Sequence, residues 1–97
     1  MSERIRIDKW LWHARFHKTR SLAQSAAAAG VIRLNERRIE KASVEVKPGD
    51  TLTLPRGRDV IVVRVVACGI RRGPAKDAQA LYEVLTESAL DPASARP

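Results

Sequence analysis

The sequence has 97 residues, which is enough for one domain with a modest core and too few for two. Eighteen Lys and Arg against eleven Asp and Glu give a net charge of +7, which favours a phosphate-rich partner or an anionic membrane surface. The single cysteine, Cys68, excludes an internal disulfide, and no apolar stretch has the length of a signal peptide or a membrane span. We therefore expect a cytoplasmic protein with no membrane contact, in which Cys68 is a buried structural thiol.

The first predicted helix runs from about Ile7 to His17. Ile7, Trp10, Leu11 and Ala14 recur at the spacing i, i+3, i+4, i+7, which places all four side chains on one helical face. This apolar face predicts that Trp10 lies in the core.

A second helix is predicted over Leu22–Ala29. Thr19 and Ser21 are both candidates for its N-cap, and Ser21 with Gln24 has the spacing of a capping box. Gly30 follows the helix at the position where a residue with positive φ commonly ends one.

Short strands are predicted between this helix and the C-terminal region. The predicted strands are 31–34, 37–39, 51–54 and 60–66. Asn35 and Glu36 would form the turn between the first two strands, and the segment Lys47-Pro48-Gly49-Asp50 is a strong turn signal before the third. The last two strands are expected to form an antiparallel hairpin.

The C-terminal region predicts a short helix that starts at Pro74 and continues through Leu85, because proline is favoured at the first helical position. Leu81 and Leu85 would pack this helix on the sheet. The tail 88–97 is rich in Ala, Ser and Pro and is predicted to be disordered. The expected fold is therefore α+β over residues 4–85, with two packed helices, a small mostly antiparallel sheet and a short C-terminal helix.

The cations are concentrated in the first part of the sequence. Residues 4–41 hold ten Lys or Arg and three acidic residues, so this segment accounts for the whole net charge. The amides that open the second helix, with the hydroxyls of Thr19 and Ser21 and the guanidinium of Arg20, could form a phosphate seat. A solvated helix face is the alternative, but the clustering beside a helix N-terminus favours a binding surface.

Other chemistry finds less support in the sequence. Trp12 could stack on a base or cover a second hydrophobic seam, and the seam is favoured. His13 and His17 have a metal-ligand spacing without a third ligand, so we expect surface or RNA-facing histidines and neither metal nor cofactor. Asp8, between cations, is expected in an ion pair or a cap. No serine has a base at a recognisable spacing, so the sequence predicts a binding protein and not an enzyme.

Several segments resemble the S4 RNA-binding domain and its αL motif. They are Arg6-Ile7-Asp8-Lys9-Trp10-Leu11-Trp12, Ala14-Arg15-Phe16, Lys18-Thr19-Arg20-Ser21, Gly30-Val31 and Asn35. The Asp-Lys-Trp-Leu-Trp variant, together with Arg71-Arg72-Gly73-Pro74-Ala75, is similar to the heat shock protein 15 family of stand-alone S4 proteins. The resemblance covers roughly residues 4–84 and implies an αL motif core at about residues 4–50.

The resemblance implies non-catalytic binding of structured RNA. Proteins of this family bind the large ribosomal subunit that still carries a nascent chain on tRNA, and shorter relatives act in ribosome-associated quality control. The expected partners are therefore ribosomal RNA on the large subunit and tRNA, with the free chain a monomer. The RNA-binding residues carried over from the S4 domain are Arg6, Lys9, Lys18, Thr19, Arg20, Ser21, Gln24, Arg33, Asn35, Arg37, Arg38 and Lys41.

Two uncertainties remain at the level of sequence. S4 proteins usually have Asn-Gly in the first turn, whereas this chain has Asn35-Glu36, so the type of turn is open. The alternative function is a protein–protein interaction module that uses Trp12, Phe16 and the basic face.

Overall fold

The structure, a computed structural model, describes residues 3–89. Two helices pack together and are followed by a five-stranded antiparallel sheet of order β3-β2-β5-β6-β7, while β1 and β4 form a separate antiparallel pair. The elements are β1 (Ile5–Arg6), α1 (Ile7–His13), α2 (Arg20–Ala28), β2 (Arg33–Leu34), β3 (Arg37–Arg38), β4 (Glu45–Val46), β5 (Thr51–Arg56), β6 (Asp59–Val65), α3 (Ala75–Gln79) and β7 (Tyr82–Ala89). The predicted α+β class is confirmed. No helix within residues 3–89 is long and apolar enough to cross a membrane.

Helix α1 ends at His13, four residues before the predicted end. Arg15 takes a positive φ of 63°, its amide donates to Trp12 O at 3.1 Å, and the Phe16 amide donates to Leu11 O at 3.0 Å. These two bonds form a Schellman motif, which usually carries glycine where Arg15 stands. The Phe16 ring packs 5.9 Å from the Trp10 ring between centroids, and this apolar contact completes the motif.

Helix α2 starts two residues earlier than predicted. Thr19 is its N-cap and accepts a hydrogen bond from the Leu22 amide at 3.1 Å, so Ser21 lies inside the helix and the predicted capping box is wrong. Gly30 has a φ of 78°, which confirms its predicted role after the helix. Ala23 and Ala27 are fully buried, and their small side chains let α2 approach α1 closely.

The sheet supplies most of the remaining core. Its buried face alternates with more exposed positions along β5 and β6, as predicted for a hairpin. The buried residues of this face are Leu52, Leu54, Ile61, Val63 and Val65, and they join the helical residues around Trp10 in one cluster. The predicted core position of Trp10 is confirmed, since its side chain is fully buried.

The turn between β2 and β3 is left-handed at both central residues. Asn35 has φ 51° and Glu36 has φ 71°, which is the backbone of a type I′ hairpin turn. Asn35 Oδ1 accepts from the Thr51 amide at 2.8 Å, and Asn35 Nδ2 donates to Asp50 Oδ1 at 3.1 Å. These bonds hold the turn even though glutamate stands where glycine is favoured.

Glu36→Gly is expected to raise the free energy of unfolding by about 0.5–1 kcal/mol. A left-handed residue other than glycine costs about 1–2 kcal/mol, and the greater freedom of glycine in the unfolded chain offsets part of the gain. Urea unfolding measures the difference. The control is Arg37→Gly, one residue into β3, which should lower stability because glycine weakens a strand. A Glu36→Gly protein less stable than the original would contradict this account.

The predicted C-terminal helix is correct only in its first half. Helix α3 ends at Gln79, and β7 then pairs with β6, so the prediction of a helix through Leu85 is wrong. Pairing gives β6 a second neighbour and satisfies its backbone groups, which outweighs local helix preference. Leu81 packs against the core, whereas Leu85 is 39% exposed. Residues 88 and 89 belong to β7, so the prediction that the tail is disordered is wrong at these two positions, and residues 90–97 lie outside the described residues.

Three long-range hydrogen bonds fasten the C-terminal end of α1 to the segment after β6. Trp10 Nε1 donates to Ala67 O at 2.9 Å, and Arg15 Nη1 donates to Gly73 O at 2.9 Å. His13 Nδ1 lies 3.2 Å from the carbonyl oxygen of Cys68. Residues 67–73 therefore cover the C-terminal end of α1. Cys68, which lies in this segment, is buried as predicted.

Candidate nucleic-acid interface

The N-terminus of α2 presents amides, hydroxyls and cations together. Thr19 and Ser21 are exposed, as is Lys18, and Arg20 is half-buried with 42% of its side chain accessible. The amides of Arg20 and Ser21 open the helix and therefore have no carbonyl partner within it. They lie at the positive end of the helix dipole. This arrangement can bind a phosphate oxygen.

A buried carboxylate orders the cations beside this helix end. Asp8 is fully buried and accepts from Arg6 Nε and Arg6 Nη2, both at 3.1 Å, and from the Lys9 amide at 2.8 Å. Arg20 Nε lies 3.7 Å from Asp8 Oδ2, which is ion-pair distance without a hydrogen bond. The predicted ion pair of Asp8 is confirmed, and it brings arginines from β1 and α2 together.

Asp8 stays ionised because its donors outweigh its burial. Burial raises the pKa of this carboxyl, while hydrogen bonds from Arg6, Gln24 and the Lys9 amide lower it, and the net pKa lies below the ordinary value of 3.8. A charged Asp8 leaves the outer parts of both guanidinium groups accessible, since the side chains of Arg6 and Arg20 remain 45% and 42% exposed.

The β2–β3 hairpin places two arginines directly opposite each other. Arg33 and Arg38 are Cα partners across the two strands, and both are exposed. Like charges at directly opposed positions destabilise a strand pair. The ion pair of Arg38 with Glu40 at 3.0 Å relieves little of this, because both side chains are about two-thirds exposed. A bound polyanion would relieve the repulsion.

Gly30 joins the hairpin to the end of α2. A Cβ at Gly30 would lie 3.6 Å from Arg38 Nε, so the arginine side chain lies against this glycine. Helix α2 has nine residues and is therefore about 13 Å long at 1.5 Å per residue. Arg20 and Arg38 thus lie near its two ends.

The other predicted residues divide into exposed side chains and one with a structural role. Lys9, Gln24, Arg37 and Lys41 are exposed and available to solvent. Asn35 is exposed too, but both polar atoms of its side chain are hydrogen-bonded to Asp50 and Thr51 within the fold. We therefore assign Asn35 to the turn and not to the RNA surface.

The comparisons with known proteins agree with this geometry. The S4 domain family matches residues 5–52. Heat shock protein 15 of Escherichia coli strain K12 is 45% identical over 84 residues, which cover 87% of this chain and 62% of that protein. The RQC P-site tRNA stabilizing factor of Halalkalibacterium halodurans is 34% identical over 85 residues, which cover 86% of this chain and 92% of that protein.

A solved structure of the same kind matches as well. The trimeric structure of Vibrio cholerae heat shock protein 15 has a TM-score of 0.80 and 40% identity, covering 86% of this chain and 83% of that one. The chain is an S4-domain protein of the heat shock protein 15 family. It spans 62% of the length of the Escherichia coli relative.

The two histidines of this S4 domain, both predicted to lie at the surface or to face RNA, differ in burial. His13 is buried to 1% exposure beneath residues 67–73, so its predicted surface position is wrong. Burial lowers the pKa of His13, and the nearby Cys68 carbonyl only partly offsets this. His17 is half-buried, and burial lowers its pKa as well. Within residues 3–89, no group of three His, Cys, Asp or Glu side chains could hold a metal.

The aromatic residues of the alternative function are used by the fold. Phe16 packs between Trp10 and Tyr82, with ring centroids 5.9 and 4.7 Å away. Trp12 is half-buried, and its ring lies 5.7 Å from the ring of the adjacent His13. Neither residue is among the large hydrophobic side chains that are exposed in the described structure, which gives the alternative of a protein-binding patch little support.

Sequence reasoning missed one residue of functional interest. The regular helix predicted through His17 gave no sign that Arg15 would adopt a left-handed conformation and bond to Gly73 O. The usual signal, a glycine at the stop, is absent here. Phe16 directly after the stop was the available clue, because an apolar residue at that position packs back on the helix.

Proposed function

We propose that this S4-domain protein binds ribosomal RNA of the large subunit that carries a stalled nascent chain on tRNA, and acts in ribosome rescue or quality control. The observation that carries the proposal is the set of cations at the two ends of α2, ordered by the buried Asp8 and by the contact of Arg38 with Gly30. The names of the relatives, a heat shock protein and a factor that stabilises P-site tRNA, support this choice of partner. Ribosome binding would place the chain in the cytoplasm.

The proposed role is binding and not catalysis. Phosphate contacts from exposed Lys and Arg supply the affinity, and the shape of the folded RNA selects the site. The proposed RNA-binding residues are Arg6, Lys9, Lys18, Thr19, Arg20, Ser21, Gln24, Arg33, Arg37, Arg38 and Lys41.

Binding to purified large subunits should depend strongly on salt. Each phosphate that a cation neutralises releases counterions, and a surface with six or more such contacts loses about a thousandfold or more in affinity between about 50 and 200 mM salt. Equilibrium binding across this range measures the effect. A change smaller than about threefold would reject an electrostatic surface, because it corresponds to fewer than about one neutralised phosphate.

The same assay can test the ribosomal state that is recognised. Large subunits that carry peptidyl-tRNA should bind more tightly than vacant large subunits, and small subunits should bind at the level of non-specific RNA. Equal affinity for vacant and tRNA-bearing subunits would remove tRNA from the proposal while leaving ribosomal RNA as the ligand.

A further inference from the structure

A cleft of about 520 Å³ lies beside the C-terminal end of α1. None of the residues proposed to bind ribosomal RNA lines it. Its walls are formed by residues 14–17 after α1, the β5–β6 hairpin, α3 and the start of β7. The volume falls within the range of about 300–1,000 Å³ that small-molecule sites occupy.

The apolar wall of the cleft is aromatic and firmly held. Phe16 and Tyr82 both line it, and their ring centroids are 4.7 Å apart at an interplanar angle of 48°. The fully buried Trp10 supports both rings at 5.9 and 6.5 Å. Half-buried rings on such a support offer a planar ligand a surface on which to stack.

The polar wall carries positive charge and an open hydrogen-bonding group. Arg15 and Arg56 line the cleft together with His17. The Nδ1 atom of His17 is buried and has no hydrogen-bond partner among the described residues. Arg15 uses Nη1 to bond Gly73 O, which fixes the guanidinium while its other donors remain. Gln79 is exposed and adds an amide that can both donate and accept.

The backbone at Arg15 is unusual for a residue with a side chain. A residue with φ 63° after a helix is ordinarily glycine, because a side chain is strained in this conformation. An arginine there holds a cation at the mouth of the cleft at the expense of backbone strain. Strained positions that persist in a fold are concentrated at binding sites.

We propose that the cleft binds a single nucleotide, with the base against the aromatic wall of Phe16 and Tyr82 and the phosphate held by Arg15. The nucleotide could come from two sources. The first is an unpaired nucleotide of the bound RNA, and for this source the inference rests on the proposed function. His17 and Thr19, the cap of α2, are at most about 7 Å apart along the chain at 3.3–3.6 Å per residue. One RNA strand can therefore reach both the cleft and the N-terminus of α2. A free mononucleotide has the same chemistry and is the second source.

Titration of the full chain with adenosine monophosphate tests the cleft without any ribosome. Backbone amide NMR shifts should move at 15–17, 54–57 and 75–82, and adenosine without phosphate should bind at least tenfold more weakly. Arg15→Gly removes the cation and suits the left-handed backbone, so the variant should fold and bind adenosine monophosphate at least tenfold more weakly. Arg58→Ala, which removes a cation outside the cleft, should bind as the original chain does.

Two further arms separate the sources of the nucleotide. If Arg15→Gly also weakens binding to large subunits threefold or more, the ligand is a nucleotide of the RNA. If only binding of adenosine monophosphate falls, the ligand is a free nucleotide, and both results support the cleft. Absence of shifts at the cleft with about 10 mM adenosine monophosphate, and with a five-nucleotide single-stranded RNA, would overturn the proposal. If the original chain binds adenosine monophosphate but does not bind large subunits, the result counts against the proposed function and not against the cleft.

Discussion

Asp8→Asn is expected to lower the free energy of unfolding by about 2–3 kcal/mol, the largest effect of a conservative change on the stability of this chain. Asp8 is fully buried and accepts hydrogen bonds from Arg6 and from the Lys9 amide, with Arg20 at ion-pair distance. Removing one partner of a buried ion pair costs about 3–5 kcal/mol when the other stays buried. The effect is smaller here because both arginines are more than 40% exposed and can turn to water.

Thermal and urea unfolding would measure this loss. A change of 2–3 kcal/mol in a domain of this size corresponds to a fall in Tm of about 10 °C or more. Glu83→Gln is the matched control, because Glu83 pairs with Arg64 at 3.0 Å but both side chains are about half exposed. It should cost less than about 1 kcal/mol. Equal effects of the two changes would show that Asp8 does not organise the α1–α2 junction.

The contribution of Asp8 should also depend on pH in a defined direction. The pKa of Asp8 is lower in the folded chain than its ordinary value of 3.8. The unfolded chain therefore binds the proton more readily, and the stabilisation is complete above pH 3.8 and is lost as the pH falls through the lower folded pKa. Asp8→Asn should remove this part of the acid-induced loss. The pKa of Asp50 is also lowered, so Asp50 should still contribute its own share of the acid-induced loss of stability in the variant.

Arg33→Ala/Arg38→Ala, which removes the two opposed cations on one face of the β2–β3 hairpin, is expected to weaken binding to large ribosomal subunits by about a hundredfold at constant salt. A charge-assisted hydrogen bond contributes about 1.5–3 kcal/mol, so each lost phosphate contact reduces affinity about tenfold or more. The slope of log affinity against log salt should become shallower by about two. Stability should be unchanged or slightly higher, since the substitution removes the repulsion between Arg33 and the opposed Arg38.

The control is a second double variant with the same net charge. Arg58→Ala/Lys76→Ala also removes two exposed cations, and neither of them belongs to the β2–β3 hairpin. Arg58 lies in the turn between β5 and β6, and Lys76 lies in α3. This variant should bind subunits within about threefold of the original chain. If the two double variants lose affinity equally, net charge and not the hairpin surface governs binding.

Periodic and capping signals predicted the parts of the fold that depend on local sequence. The face through Ile7, Trp10 and Leu11 is buried, and Gly30 takes the positive φ expected of it. The cations at the start of α2 were also placed correctly beside a helix N-terminus, because helix starts are set by neighbouring residues. These features need no knowledge of distant contacts.

Features that depend on distant segments were not predictable in the same way. His13 lies at the edge of the apolar face, three residues after Trp10, and its contact with the segment 67–73 could not be read from the local sequence. The segment from Tyr82 onward has no local reason to avoid a helix, and it becomes β7 because β6 offers unpaired backbone groups. Arg20 was identified as a phosphate-binding cation, but its proximity to Asp8 depends on how α1 and α2 pack.

The three hydrogen bonds from α1 to residues 67–73 have a consequence for protein engineering. The recognisable S4 sequence ends at residue 52, yet Trp10 and Arg15 are bonded to groups 57 and 58 positions further along the chain. A fragment cut at residue 52 would lose the carbonyl that accepts from the Trp10 indole, and with it the core residues Leu54, Ile61, Val63 and Val65. A graft of this motif onto another protein must therefore carry the β6 strand and the segment after it, because the motif seen by sequence comparison is shorter than the unit that folds.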